Sequence, residues 1–269
     1  MKLSTITIPL LAAVLLSGCG GDDDNDHDSS SSSSSSSSSI MSSSSESSSS
    51  ESSSSMASMM EIKYSVTITN LTAGQPFSPT AYVLHTPGYA AFSVGMPASV
   101  GVEKIAESGA YDDFVMAAAE APTTLISGAA DGGAMPGDTL TLMMSAMVNE
   151  AHASQVALTL VGMLGNTNDA FMGVDGVNVG ELAVGDSMTI NPIAYDAGTE
   201  ANSETAATVP GPAAEGEGFN AERDDNADMV TAHPGVITSD DGKTDSALTH
   251  LQRWDNPVSR ITITRMALE

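Results

Sequence analysis

The sequence predicts an all-β domain with one or two short helices in its loops, preceded by a disordered Ser-rich tether. Three observations predict it. Tyr64, Val66 and Ile68 alternate with Ser65, Thr67 and Thr69, and Leu140, Leu142, Met144 and Ala146 alternate with polar and Met positions. That period of two is what a half-buried strand requires. Only one stretch, Val102 to Ala119, reads as helical. Serine dominates Ser29 to Ser55, where nothing can bury apolar area to offset chain entropy.

The first residues read as a targeting segment. Lys2 supplies a positive start, Ile6 to Leu16 an apolar stretch too short for a membrane span, and Leu16-Ser17-Gly18-Cys19 matches the bacterial lipobox. Cys19 is the single cysteine, so an internal disulfide is excluded, and its place implies cleavage before it and acylation of its thiol and amino group. Several acyl chains give stable anchoring where one does not. The expected organisation is a signal peptide over 1–18, a lipidated Cys and disordered acidic and Ser-rich linker over 19–61, and a folded domain over 62–266. A coil of about 40 residues spans roughly 35 Å root-mean-square. The expected location is the cell envelope, at the outer membrane or cell surface, because Gly20 is not the acidic residue associated with inner-membrane retention.

Charge narrows the partners. The formal net charge is -26, with only eight Lys plus Arg. No phosphate-neutralising patch can be assembled, which excludes nucleic acid. Electrostatic docking to an anionic membrane is disfavoured for the same reason. The balance favours cations and a self-repelling, soluble surface. The 16 Met residues read as core filler.

Within the domain, Tyr64 to Asn70 and Ala81 to His85 are the first two strands, separated by a turn-rich loop. A first helix fits around Ile105 and breaks at Ser108-Gly109; Asp112 can cap a second through Phe114, Val115 and Ala118. Both are expected to cross one end of the domain. Thr123 to Ile126 is short and β-branched. Thr139 to Met147 and Gln155 to Met163 flank a turn containing Asn149, Glu150 and His152, so they are expected to pair as a hairpin. Met188 to Ile193 reads as one strand. Asn202 to Asp245 is a long acidic loop whose aspartates either hold a second cation or are solvated. Val258 to Thr264 closes the fold, and Arg260 and Arg265 are expected to pair with carboxylates.

The loop after Ile193 carries the chemistry. In Tyr195-Asp196-Ala197-Gly198-Thr199-Glu200, two acids stand four apart around a Gly that lets the backbone turn sharply. Carboxylates brought together repel unless a cation lies between them, and carboxylates with loop carbonyls are what a hard cation wants. The alternative is a solvated acidic turn in a very acidic protein.

An ordered set of short motifs adds to this. Tyr64 to Asn70 with Gly74-Gln75-Pro76-Phe77-Ser78-Pro79, Asn166-Thr167-Asn168-Asp169-Ala170-Phe171, Asp196 to Glu200, Gly211-Pro212, His233-Pro234-Gly235 and Trp254-Asp255-Asn256-Pro257 together resemble the spondin N-terminal domain family. That family includes F-spondin, mindin and many bacterial lipoproteins, and the resemblance runs from about Ile62 to Met266. It implies an antiparallel β-sandwich with calcium held by acidic loops at one end. Carried over, the Ca2+ ligands are Asp169, Asp196 and Glu200; animal members have Asp where this chain has Glu200, which bears on denticity. Two strands would each deliver a carboxylate at their C-terminal ends, and the loops meet if those strands run parallel.

No Gly-x-Ser-x-Gly elbow, His-Glu-x-x-His or Lys-ending phosphate loop occurs. The expected function is therefore a non-enzymatic, lipid-anchored, calcium-binding adhesion or recognition domain for a protein or glycan ligand. The alternative is an envelope hydrolase, glycosidase-like, using Asp169 with Asp196. Its cleft would need aromatic residues, and the chain has one Trp and few others.

Overall fold

The computed structural model describes residues 58–225 and 227–268; the predicted signal peptide, Cys19 and the Ser-rich tether lie outside them. Ten strands form two antiparallel sheets. The first sheet has β1 (Met59–Asn70), β4 (Thr139–Asn149), β7 (Ser187–Ile190) and β10 (Ser259–Arg265), in the order β4-β1-β10-β7. The second has β2 (Ala81–His85), β3 (Thr124–Ala129), β5 (Ala157–Met163), β6 (Ala170–Asn178), β8 (Ala194–Asp196) and β9 (Thr231–Ala232), in the order β3-β2-β5-β6-β8-β9. The strand β1 begins three residues before the predicted Ile62.

The core lies between the sheets. Ile62, Tyr64, Val66 and Ile68 of β1, with Leu142, Met144 and Ile263 from its neighbours, meet Leu84, Leu158, Leu160 and Met172 of the second sheet. Every second residue of β1 points into this layer, which is the alternation its sequence carries. Tyr64 keeps its polar tip satisfied there. Its hydroxyl donates to the Val179 carbonyl at 3.0 Å and accepts from Arg265 Nη1 at 2.6 Å. Arg265 therefore pairs with a phenol and stacks over its ring at 4.9 Å, instead of pairing with a carboxylate as expected. The reason is parity: Arg265 shares the inward face of β10 with Ile261 and Ile263. Arg260 is exposed and makes no ion pair among the described residues.

Two expectations about pairing fail for one physical reason. The strands β4 and β5 are not a hairpin. Thr139 to Asn149 pairs with β1, whereas β5 pairs with β2 and β6 in the other sheet. Their apolar faces meet across the core, so the short 3-10 segment Glu150–Gln155 carries the chain from sheet to sheet. Likewise, Met188 to Ile193 is not one strand. It contributes to β7, and after Asn191-Pro192-Ile193 the chain re-enters as β8 in the second sheet. Pro192 has no N–H for a ladder and marks the crossing.

The helices are α1 (Val100–Ser108) and α2 (Asp112–Glu120). The Ser99 hydroxyl caps α1 by accepting from Val102 N, and Gly109 at φ 71° ends it. Asp112 lies in the first turn of α2 and is not its cap; Tyr111 precedes it without a side-chain cap bond. The pair covers the outer face of the six-stranded sheet, not one end of the sandwich. Val102, Ile105, Ala106, Phe114 and Ala118 pack on Ala81, Val83, Val161 and Phe171. As a result, every residue of β5 is buried.

Candidate metal centre

The acidic site is built at the strand ends of the six-stranded sheet, where β6 starts and β8 ends. Ala170 pairs with Asp196, so Asp169, one residue before β6, stands beside Ala197, whose N–H donates to the Asp169 carbonyl at 3.2 Å. The two carboxylates thus come from opposite ends of antiparallel neighbours, not from the C-terminal ends of parallel strands. Antiparallel pairing brings one strand's entrance against its neighbour's exit, so a two-strand site needs no crossover.

A frame of buried amides and hydroxyls holds the Asp169 loop. The Thr167 hydroxyl donates to the Leu164 carbonyl at 2.6 Å and accepts from Ala170 N at 3.0 Å. Asn166 N donates to Gln75 Oε1, and the Asn166 side chain accepts from Ala213 N. Asn168 reaches the Thr208 carbonyl at 3.2 Å and accepts from Glu204 N. Each buried polar group here spends its bonds on loop backbone, which fixes the loop without a regular ladder.

The Asp196 loop is a tight turn. Asp196 Oδ1 accepts from Gly198 N at 2.8 Å and Oδ2 accepts from Asn202 Nδ2 at 2.6 Å. Gly198 has φ 70°, and a Cβ there would stand 2.3 Å from the Met229 carbonyl oxygen. Glycine is required on both counts. The turn places Thr199 N 2.8 Å and Glu200 N 3.1 Å from Asp169 Oδ2, so the second loop donates two backbone bonds to the first loop's carboxylate.

The three predicted ligands are removed from water. Exposure is 0% for Asp169, 5% for Asp196 and 8% for Glu200. Among the described residues none of them pairs with Lys or Arg; the His233 ring is beside them, its Nε2 3.9 Å from Asp196 Oδ2. His233 Nδ1 accepts from Gly235 N, so the neutral ring carries its proton on Nε2. Burial lowers the pKa of His233, and its ring packs on Trp254 at 5.1 Å. Burial and the Asp196 charge raise Asp169 to about 7. Burial and the Glu107 charge raise Glu200 to about 8.

Glu107 is the acid that sequence reading missed. It comes from α1, is fully buried, and its own pKa is raised by burial. A signal was present: Glu103 and Glu107, four apart, share the face of α1 that carries Val102 and Ala106, and an acid on an apolar helix face needs a partner. Glu103 has one, in Arg223.

Among the described residues, two buried carboxylate oxygens have no hydrogen-bond partner: Asp169 Oδ1 and Glu107 Oε1. An orphaned buried carboxylate oxygen is costly unless the group is protonated or a cation is present. The donors are all oxygens, which fits a hard divalent ion and disfavours soft metals. Among the described residues, however, no group of three or more His, Cys, Asp or Glu side chains is drawn together into a finished cage. Asp196 explains part of this, since both its oxygens are engaged by Gly198 and Asn202.

Among the described residues, the aspartates of the long loop do not assemble a second site. Asp224 accepts from Ala201 N, Asp225 from Ala227 N, Asp228 pairs with Arg223, Asp240 with His250, and Asp241 with Arg253. They are consumed in local caps and ion pairs.

The order of the elements and the two acidic loops agree with one domain family, Spondin_N, whose match covers residues 64–215, more than half of the chain. The chain belongs to the spondin N-terminal domain family. Membership points to an extracellular recognition or adhesion-type domain. The match takes in Asp169, Asp196 and Glu200, and it includes Glu107 as well. No curated protein matches the chain. Among the described residues, no helix of this spondin domain is long and apolar enough to cross a membrane.

Proposed function

We propose that this spondin domain is a calcium-binding recognition or adhesion module, lipid-anchored to the cell envelope through Cys19, that performs no chemistry. The observation that carries the reading is the buried acidic cluster. Asp169, Asp196 and Glu200 converge with no Lys or Arg partner, and Asp169 keeps one oxygen unpaired. Three carboxylates around a doubly charged ion suit flexible six-to-eight coordination better than a strict octahedron, which favours calcium over magnesium. In the site, these residues would supply carboxylate oxygens, and the turn around Gly198 would supply backbone carbonyls.

The non-enzymatic reading is supported by burial. A glycosidase needs its two acids on either side of a substrate-filled cleft. Asp169 and Asp196 are buried, and the nearby aromatics Phe92, Phe171 and Tyr195 pack on one another at 5.0 to 5.4 Å. Membrane attachment rests on the lipobox, and a protein or glycan ligand on the family.

The test is a melting curve of the mature chain with calcium, with chelator, and for Asp196→Asn. An ion that binds only the native state adds RT ln(1 + [Ca]/Kd), about 2.7 kcal/mol at a hundred times Kd. Calcium should raise the melting temperature, and Asp196→Asn should remove most of that rise. No shift with chelator, and no heat of binding at millimolar calcium, would end the metal assignment. For the anchor, Cys19→Ser should move the protein from the detergent phase to the aqueous phase; a wild-type protein already wholly aqueous would end that part.

A further inference from the structure

Glu107 bridges two parts of the molecule that the chain keeps far apart. Its Oε2 accepts from Asn220 N at 2.9 Å. Its Oε1 is buried and has no hydrogen-bond partner. The segment that it helps to hold also touches the acidic loop, through Asp224 N on the Thr199 carbonyl and Ala201 N on Asp224 Oδ1, and Glu200 and Asp169 feel the Glu107 charge. Among the described residues, no basic side chain forms an ion pair with it. Arg223, the closest guanidinium, is taken by Glu103, by Asp228 and by the Ala98 carbonyl. An unpaired, buried carboxylate oxygen of this kind, whose charge other buried acids feel, is what a cation among them would satisfy.

We infer that Glu107 is a fourth carboxylate of the cation site, with Oε1 directed to the ion and Oε2 holding the Asn220 backbone. The inference rests on the calcium reading above. It assigns a consequence that the three loop acids alone do not have. The segment around Asn220 to Asp224 is docked by contacts to this region: Asn220 N on Glu107, Arg223 on Glu103, Asp224 N on the Thr199 carbonyl at 3.1 Å, and Ala201 N on Asp224 Oδ1 at 2.7 Å. An ion that fixes Glu107 and the Thr199 turn fixes both walls against which that segment rests. Calcium occupancy and order in the long loop are then one equilibrium, because binding stabilises whatever is ordered only in the bound state.

Calorimetric titration with calcium chloride, paired with backbone hydrogen exchange with and without calcium, tests this on the mature chain. In the wild type, calcium should bind and slow exchange at residues 199–201 and 220–224 together. Glu107→Gln keeps the shape and an acceptor for Asn220 N but removes the charge. It should weaken calcium binding at least about tenfold, the scale seen when groups supporting a metal site are lost, and calcium should no longer protect 220–224. Its metal-free melting temperature should equal or exceed that of the wild type, since a buried charge facing Glu200 is gone. Glu107→Asp keeps the charge, withdraws the oxygens by one methylene, and should also weaken binding; it carries the comparison if the Gln variant does not fold. Wild-type affinity in both variants, with protection of 220–224 intact, overturns the inference and leaves the calcium site standing. A wild type that binds no calcium overturns both.

Discussion

The four-stranded sheet buries one face and wets the other, whereas the six-stranded sheet is covered on both. The difference sets what each can do. In β1 and β4 the outward residues are Ser, Thr, Met, Lys and Glu, and the strands read from sequence by strict alternation. In β5 all seven residues are buried, because the helices α1 and α2 close the outer face. A sheet with dry faces on both sides can hold carboxylates away from water at its strand ends, and that is where Asp169 and Asp196 stand. A sheet with one wet face cannot. The proposed calcium site would follow the third layer that the helices add.

The largest effect should come from breaking that layer. Phe171 points from β6 to the outer face, is fully buried, and packs edge-on with Phe92 and nearly parallel to Tyr195. Phe171→Ala should cost about 3–5 kcal/mol, the range for a large aromatic removed from a packed core, measured by urea unfolding. A loss below about 1 kcal/mol would mean that the helices are a loose cover and that the six-stranded sheet is half-wet like its partner. The cavity would open directly behind Ala170 and Asp169, so the calcium-induced rise in melting temperature should shrink as well.

A smaller effect should separate the buried edge from the rest by pH. Asp169 faces Asp196 and Glu107; Glu200 faces Glu107, Asp169 and Asp224. Their folded values, about 7 and about 8, lie above the ordinary 3.8 and 4.5. The metal-free native state therefore holds protons that the unfolded chain has released, and its stability falls as pH rises through this window. His233 acts the other way. Its lowered pKa costs stability only as pH falls below about 6.5, where the unfolded imidazole charges. Between pH 6.5 and 8.5 the carboxylates act alone, so the chelated protein should melt at progressively lower temperature. Saturating calcium, which needs the ionised acids, should flatten or reverse that slope. A chelated protein with a flat profile would show that these acids titrate normally and are not the buried cluster described above.

The same contrast explains what could be read from sequence. The strands β1, β4 and β10 were legible because one wet face leaves a period-two pattern, and the acids Asp196 and Glu200 were legible because a Gly stands between them. The β4–β5 hairpin was misread because adjacent apolar runs with a turn between them look alike whether they pair side by side or face each other across a core. Glu107 was missed because its partners lie in a loop far along the chain, and only its place on the apolar side of α1 hinted at a role. Arg265 was assigned a carboxylate because cations are scarce; its partner Tyr64 is set by inward parity on two paired strands, Tyr64 opposite Arg265.

The smallest effect should come from the wet face, and its smallness is the informative outcome. Thr141, Thr67, Thr262 and Thr189 stand opposite one another across all four strands of the first sheet, and the next row is Met143, Ser65, Thr264 and Ser187. The Thr189 and Thr262 hydroxyls bond at 3.2 Å, and Ser187 and Thr264 at 2.7 Å. These bonds compete with water on an open surface, so each contributes little beyond the β preference of its residue. A cross-strand Thr pair is worth roughly 0.2–1 kcal/mol over Ala. Thr262→Ala should therefore cost less than about 1 kcal/mol, leave the dependence on urea unchanged, and leave calcium binding untouched. A loss on the scale of Phe171→Ala would require this face to be covered in solution, and the asymmetry between the two sheets would then disappear. A small loss in stability with wild-type calcium affinity would instead confine the site's energetics to the sheet that the helices enclose.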